Sequence, residues 1–297
     1  MKTLVTLTFC LAAIGAWASG PENSLPEEDP AFISYDVSKN TWEQPNPVFR
    51  WPLPEMTGEA HLNVRFVWLG RNINTHVLEE TKKYLAEVYQ PHGIYLNFQS
   101  EQSRPDLLDR SAVSSWSKIL PIVKEELTIY ILPFEGSELQ RRDIYTTNSI
   151  VARRSLVPFQ EEGEFKAFVA KNIGHMLGLL PTYFESSSHG VYLEDKNNCG
   201  NAGDFVCDTP ADYLGLRNDV KKRNCRYNGE IGSPDIHNVM SNSWTECMDR
   251  ISPEQANKIK YNISVIPALQ ATLNPNTTIP LNVDQQPLIS SQKILTQ

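Results

Sequence analysis

Residues 171–184, KNIGHMLGLLPTYF, close a longer run, GEFKAFVAKNIGHMLGLL (163–180), whose reading decides the fold. Phe165, Phe168, Val169, Met176 and Leu179 recur at i, i+3, i+4 spacing and Asn172 falls on the same stripe, so the run reads as an amphipathic helix. Gly178 permits a turn at its end. The helix carries a single histidine, His175, with Lys171 and Asn172 about one turn before it. A lone histidine on such a helix is ordinarily a satisfied core residue. Whether this one means more depends on the chain around it.

Towards the amino terminus the pattern alternates strand and helix. In HLNVRFVWLG (61–70) Leu62, Val64, Phe66 and Trp68 alternate with Asn63, Arg65 and Val67, as in a strand. THVLEETKKYLAEVYQPHG (75–93) spaces Val77, Leu78, Tyr84, Leu85 and Val88 as a helix does and stops at Pro91 and Gly93. IYLNFQS and ELTIYILP (126–133) read as two further strands with a helix around 113–124 between them, and NSIVARRS (148–155) as an edge strand. This order implies an α+β protein whose first half is a mixed α/β sheet packed against helices.

Towards the carboxyl terminus regular periodicity fades after Leu180. The loop-rich region to about residue 245 holds Cys199, Cys207, Cys225 and Cys247, an even number that reads as two disulfides with three pairings open. No CxxC pair supports a structural zinc. SPEQANKIKYNI (252–263) reads as a last helix, with Ser252 as N-cap, Pro253 at the first position and Gln255 completing a capping box. Residues 266–297 are polar and rich in Pro and Asn, and little order is expected there.

The chain has 297 residues, 40% hydrophobic and 21% charged, with a net charge of −8, a composition that argues against nucleic acid or an anionic membrane as partner. KKRNCR (221–226) is the one short basic cluster and reads as a solvated loop. Residues 1–18 read as a signal peptide ending at Ala16-Trp17-Ala18. Its removal takes Cys10 with it, and the expected location is secreted or extracellular, without membrane insertion. Residues 19–57 read as an extended leader or pro-segment.

Laid against H-E-x-x-H-x-x-G-x-x-H, residues 171–181 keep the second histidine as His175 and the glycine as Gly178. Lys171 stands at the first histidine, Asn172 at the glutamate and Pro181 at the third histidine. Two histidines four apart on a helix project the same way, a third beyond the glycine completes a zinc triad, and the glutamate takes the proton of the zinc-bound water. Here the asparagine is no base, the proline has no side-chain lone pair, and an ammonium sits where a dication would be held. On these residues no catalytic group is expected, and His175 is a remnant ligand.

The flanking segments NCGNAGDFVCDTPADY (198–213) and PDIHNVMSNSWTECMDRISPEQANKI (234–259) resemble the pappalysin-like branch of the metzincin metallopeptidases, in particular its secreted bacterial-type members. The resemblance spans roughly residues 60–265. It implies a zincin fold over residues 58–265, with a twisted sheet and active-site helix above, a disulfide-linked lower subdomain below, and a cleft between. It makes Met240 the Met-turn residue and Gly203, Asp204, Asp208, Thr209 and Pro210 the loop segment. It also implies pairing of Cys199 with Cys225 and of Cys207 with Cys247. Calcium at Asp204 and Asp208 is one implication, loop-capping carboxylates the plainer alternative.

The expected function is that of a secreted pseudopeptidase, which binds a protein or peptide and needs no cofactor. The alternative is an active zinc-dependent endopeptidase with an atypical site improvised from His175 and two of His189, His237, Asp204, Asp208 and Glu185. A third reading is a structural or adhesive role for the disulfide-linked loops. His61, His76 and His92 read as surface or strand-end residues, and no G-x-S-x-G nucleophile occurs. Asn262 and Asn276 begin glycosylation sequons.

Overall fold

The computed structural model describes residues 35–36, 41–42, 52–71, 73–107, 120–132, 154–158, 162–184, 199–200, 203–213, 215–230 and 232–281. A parallel sheet is built on β1 (Ala60–Trp68), with α1 (Thr75–Tyr89), β2 (Ile94–Phe98), β3 (Gln102–Ser103), β4 (Leu127–Leu132) and β5 (Arg154–Pro158) following in chain order. The order across the sheet is β2, β1, β4, β5, with β3 beside the end of β1. Along one edge β1 pairs with β2 from Ala60↔Ile94 to Val64↔Phe98, then with β3 at Val67↔Gln102. Along the other it pairs with β4 from Val64↔Leu127 to Trp68↔Ile131, and β4 pairs with β5.

The period-two pattern divides the core between the two faces of the sheet. Leu62, Val64, Phe66 and Trp68 join Leu127, Ile129, Ile131 and Val157 on the face covered by the helices. Val67, Leu69, Tyr130, Leu132 and Leu156 pack with Leu107 and Leu120 on the opposite face. The expected helix around 113–124 lies mostly outside the described residues. Its last residues, 120–124, are not helical: Leu120 is buried in that second cluster and the Pro121 carbonyl accepts the Tyr130 hydroxyl at 2.8 Å. Of the expected strand at 148–155, the described part begins at Arg154 and lies at the sheet edge.

The helix read from residues 163–180 is α2 (Glu162–Met176), followed by a turn. It packs on α1, where the buried Tyr89 hydroxyl donates to the Ala170 carbonyl at 2.8 Å. The last helix, α3 (Pro253–Val265), has the expected capping box between Ser252 and Gln255. Between α2 and α3 a small separate core of Tyr213, Leu216, Val220, Ile236 and Cys247 includes Trp244 at its margin.

Two expectations are corrected. The disulfides join Cys199 to Cys207 and Cys225 to Cys247, not Cys199 to Cys225 and Cys207 to Cys247. Cys199 and Cys207 bracket a single loop, while Cys225 lies in the short hairpin of Val220–Lys221 with Arg226–Tyr227 that packs into the same small core as Cys247. The tail is also more ordered than its composition implies. Residues 266–281 form α4 (Pro267–Gln270) and then cover the half of the β1 edge that β4 leaves open. Asn63 N–H donates to the Thr272 carbonyl at 2.9 Å, and Asn274 N–H to the His61 carbonyl at 2.7 Å. Those bonds satisfy main-chain groups that an uncovered edge would expose. Gly58 makes the close approach possible: its φ is +87°, and a Cβ there would lie 2.8 Å from the Thr278 carbonyl oxygen.

Candidate functional site

The end of α2 is shaped by its backbone. Leu179 N–H donates to the Gly174 carbonyl at 2.9 Å and Gly178 N–H to the His175 carbonyl at 3.0 Å, with Gly178 at φ +87°. This is a Schellman closure, and only glycine adopts that backbone without strain. Gly178 therefore has a structural reason to be present whatever the helix does. Residues 181–184 turn back, with Phe184 N–H donating to the Pro181 carbonyl at 2.9 Å.

Beneath the helix, Asn238–Ser241 form a tight turn in which Ser241 N–H donates to the Asn238 carbonyl at 3.0 Å and the Asn238 side chain accepts from Met240 N–H at 2.9 Å. Met240 is fully buried, and a Cβ on Gly174 would lie 2.6 Å from its sulfur. Gly174, which sequence reading passed over, thus allows the turn to press against α2.

The four motif positions have separate fates. His175 is partly buried, and its Nδ1 lies 2.9 Å from the Leu179 carbonyl. A carbonyl can only accept, so Nδ1 carries the proton and Nε2 keeps the lone pair. Asn172 is buried and structural: its amide donates to the Phe168 carbonyl at 2.7 Å and its oxygen accepts the Ser155 hydroxyl at 3.0 Å, tying α2 to β5. Pro181 supplies only its turn.

Lys171 reaches the Met240 turn. Its Nζ donates to the Ser241 carbonyl at 2.8 Å and to the Tyr183 hydroxyl at 3.4 Å, and lies 4.8 Å from the centre of the Tyr183 ring. An ammonium therefore links helix and turn. Burial lowers its pKa to about 8, against the opposing pull of Asp212. Burial, with the charge of Lys171 added, likewise lowers His175 from 6.5 to about 4. A base whose folded value lies below its unfolded one contributes stability that is complete above the unfolded value and is lost as pH falls through the folded one. As pH drops from 6.5 towards 4 the urea midpoint of the parent is accordingly expected to fall relative to that of His175→Asn, the opposing contributions of the raised Asp204 and Asp212 being common to both. Equal slopes in both proteins would count against a buried neutral His175.

Asp212, missed in the sequence, is the hub below Lys171. Its buried carboxylate accepts the Thr182 hydroxyl at 2.9 Å, Asn242 N–H at 2.9 Å and Tyr213 N–H at 2.5 Å, and burial raises its pKa. It joins the segment after α2 to the segment after Met240.

Asp204 and Asp208 serve different partners. Asp204 is buried, accepts from Val206 N–H at 3.1 Å and the Thr209 hydroxyl at 3.0 Å, and is pushed up to about 7 by burial against the charge of Lys258. The cation beside this loop is the fully buried Lys258, whose Nζ donates to the Asp204 and Phe205 carbonyls at 2.9 and 3.3 Å. Asp208 caps α3, accepting the Ser252 hydroxyl at 2.5 Å and Glu254 N–H at 2.9 Å.

Of the other candidate ligands, His237 faces Asp249 at 3.1 Å. Glu185 and His189 lie outside the described residues. His61 stacks on Tyr95 at the start of β1, His76 is exposed, and His92, at the end of α1's following turn, is lowered by burial. Among the described residues no three His, Cys, Asp or Glu side chains converge to hold a metal. The donors at the motif positions do not fit zinc: one imidazole nitrogen, an ammonium, an amide already bonded on both sides, and a proline. A cavity of about 400 Å³ lies elsewhere, beside the start of α3, lined by Met56, His92, Glu254 and Asn257. Of the sequons, Asn262 is buried with its amide donating to the Leu177 carbonyl at 3.0 Å, whereas Asn276 is exposed. No described helix is long and apolar enough to cross a membrane.

No family model matches the chain, and no curated protein matches it. Among solved structures it is similar to one described as "Structure of myroilysin", with 14% identity over 71% of this chain and 93% of that chain and a TM-score of 0.30.

Proposed function

We propose that this chain is a secreted, pappalysin-like metzincin that has lost its chemistry and binds a protein or peptide without cleaving it. The observation that carries the reading is Lys171: at the position of the first metal ligand an ammonium donates to the Ser241 carbonyl, in contact with the Met240 turn. A dication placed there would meet a positive charge instead of a lone pair. The sheet packed against helices and the glycine-closed helix over a buried methionine turn support the resemblance on which the family reading rests, while the disulfide pairing departs from it. Calcium is not needed by this reading, since Lys258 already supplies a cation to the Asp204 loop.

One observation favours a second reading, an active zinc endopeptidase with an atypical site. His175 presents Nε2 with Nδ1 fixed by a carbonyl, as metal-ligating histidines do. The combined replacement Lys171→His, Asn172→Glu and Pro181→His separates the two. Tight zinc binding gained by the variant and absent from the parent supports the lost-site reading. Chelator-sensitive proteolysis by the parent, abolished by His175→Ala, supports the second, and no zinc binding by either refutes the placement of these residues in one site.

A further inference from the structure

The geometry points to Lys171 as the anchor for a carboxylate of the bound ligand, an inference that rests on the binding reading above and names the chemistry of what is bound. An ammonium has three N–H donors. One is used well, on the Ser241 carbonyl at 2.8 Å, and a second is aimed at the Tyr183 hydroxyl at 3.4 Å, beside a ring face that tolerates a cation without neutralising it. No carboxylate of the described residues lies within ion-pairing distance of Lys171. Asp212, whose charge it feels, is occupied by the Thr182 hydroxyl and the N–H groups of Asn242 and Tyr213. His175 is neutral and adds no negative charge.

Lys171 is nevertheless only partly buried. A partly desolvated cation with no counter-ion among the described residues, and with a third donor beyond the two bonds above, is stabilised most by an anion that brings both charge and acceptor. The site offers one cationic donor in Lys171 and one phenol, with the charge of Arg217, stacked on Trp244, near enough to help lower the Lys171 pKa; this matches a monovalent carboxylate and falls short of the several direct cationic donors that phosphate recognition commonly uses. Two sources share this chemistry, the carboxyl terminus of a peptide and an acidic side chain. The lowered pKa of the free amine, about 8, adds a signature: binding a carboxylate raises it, so complex formation takes up protons and weakens as pH rises past that range.

Three small probes test this with the full chain: acetyl-Ala-Phe with a free carboxylate, the same dipeptide as its amide, and acetyl-Asp-Phe-amide. Binding is read by calorimetry, and the Lys171 titration by NMR of its ε-carbon, assigned with Lys171→Arg. The free carboxylate is expected to bind roughly tenfold more tightly than the neutral amide and to move the Lys171 titration upward. Lys171→Met is expected to erase the difference. Preference for acetyl-Asp-Phe-amide over the free carboxylate would keep the anchor and assign it to an acidic side chain. Equal affinity for all three, a preference that survives in Lys171→Met, or a titration unmoved by any probe at millimolar concentration would overturn it. Equal affinity for all three leaves the peptide-binding reading standing, whereas zinc-dependent cleavage of a protein substrate removes both.

Discussion

Lys258→Met is expected to lower stability by about 3–5 kcal/mol, the usual loss when one partner of a buried charged cluster is removed. The substitution keeps most of the volume, so little of the loss comes from a cavity. What disappears is the donor to the Asp204 and Phe205 carbonyls and the charge facing Asp204. Phe205 holds a left-handed backbone at φ 58°, and Cys207 N–H and Asp208 N–H both donate to Glu254 of α3, so the loop and the helix are expected to loosen together. The pH dependence has a definite sign. Asp204 is raised above its unfolded value, and such a group contributes stability that is lost as pH rises. Without Lys258 to oppose burial its folded value climbs further, so the deficit is expected to be largest at alkaline pH and to shrink towards pH 4. Urea unfolding of both proteins across that range measures it, and a deficit independent of pH would contradict the pairing.

Asp212→Ala is expected to cost on the order of 3 kcal/mol and to act at a distance from the altered residue. Each hydrogen bond to a charged acceptor is worth roughly 1.5–3 kcal/mol, and the donors left behind, the buried Thr182 hydroxyl and the partly buried Asn242 N–H, lose that acceptor together. Asp212→Asn keeps an acceptor and is expected to lose about half as much. Hydrogen exchange locates the damage: amides at 240–243 and 182–184 are expected to lose protection together, while those of β1 and β4 change only with the global loss. Uniform loss across the molecule would mean that Asp212 does not tie these two segments.

The sheet and its helices were legible because burial on a pleated or helical surface imposes a period. Leu62, Val64, Phe66 and Trp68 show period two, Val77, Leu78, Tyr84, Leu85 and Val88 show period 3.6, and Ser252 with Gln255 shows the cap. The tail was not legible, since what orders it is the main chain of 272–279 bonding to the β1 edge, which asks little of its side chains. Disulfide pairing failed for a related reason. Which thiols meet depends on how irregular loops fold over one another, and a pairing implied by resemblance did not survive the compact hairpin that carries Cys225 to Cys247. In the candidate site His175, Lys171 and Met240 could be picked out, but Asp212, Tyr183 and Lys258 could not, because each is defined by partners distant in the chain. One signal for Lys258 was present: Gln255, Lys258 and Asn262 repeat at helical spacing, and all three are fully buried. Polar residues keeping a helical period beside Ala256, Ile259 and Ile263 mark a buried polar seam.

In the proposed reading Lys171 links α2 to the Met240 turn from the position a first metal ligand would hold. The most direct test of that reading is the zinc content of the purified protein after equilibration with zinc and dialysis, measured by mass spectrometry beside His175→Ala and the triply restored variant. We expect only trace zinc in the parent and in His175→Ala, and close to one equivalent in the restored protein. Near-stoichiometric zinc in the parent that is lost in His175→Ala would contradict it and return the site to zinc chemistry.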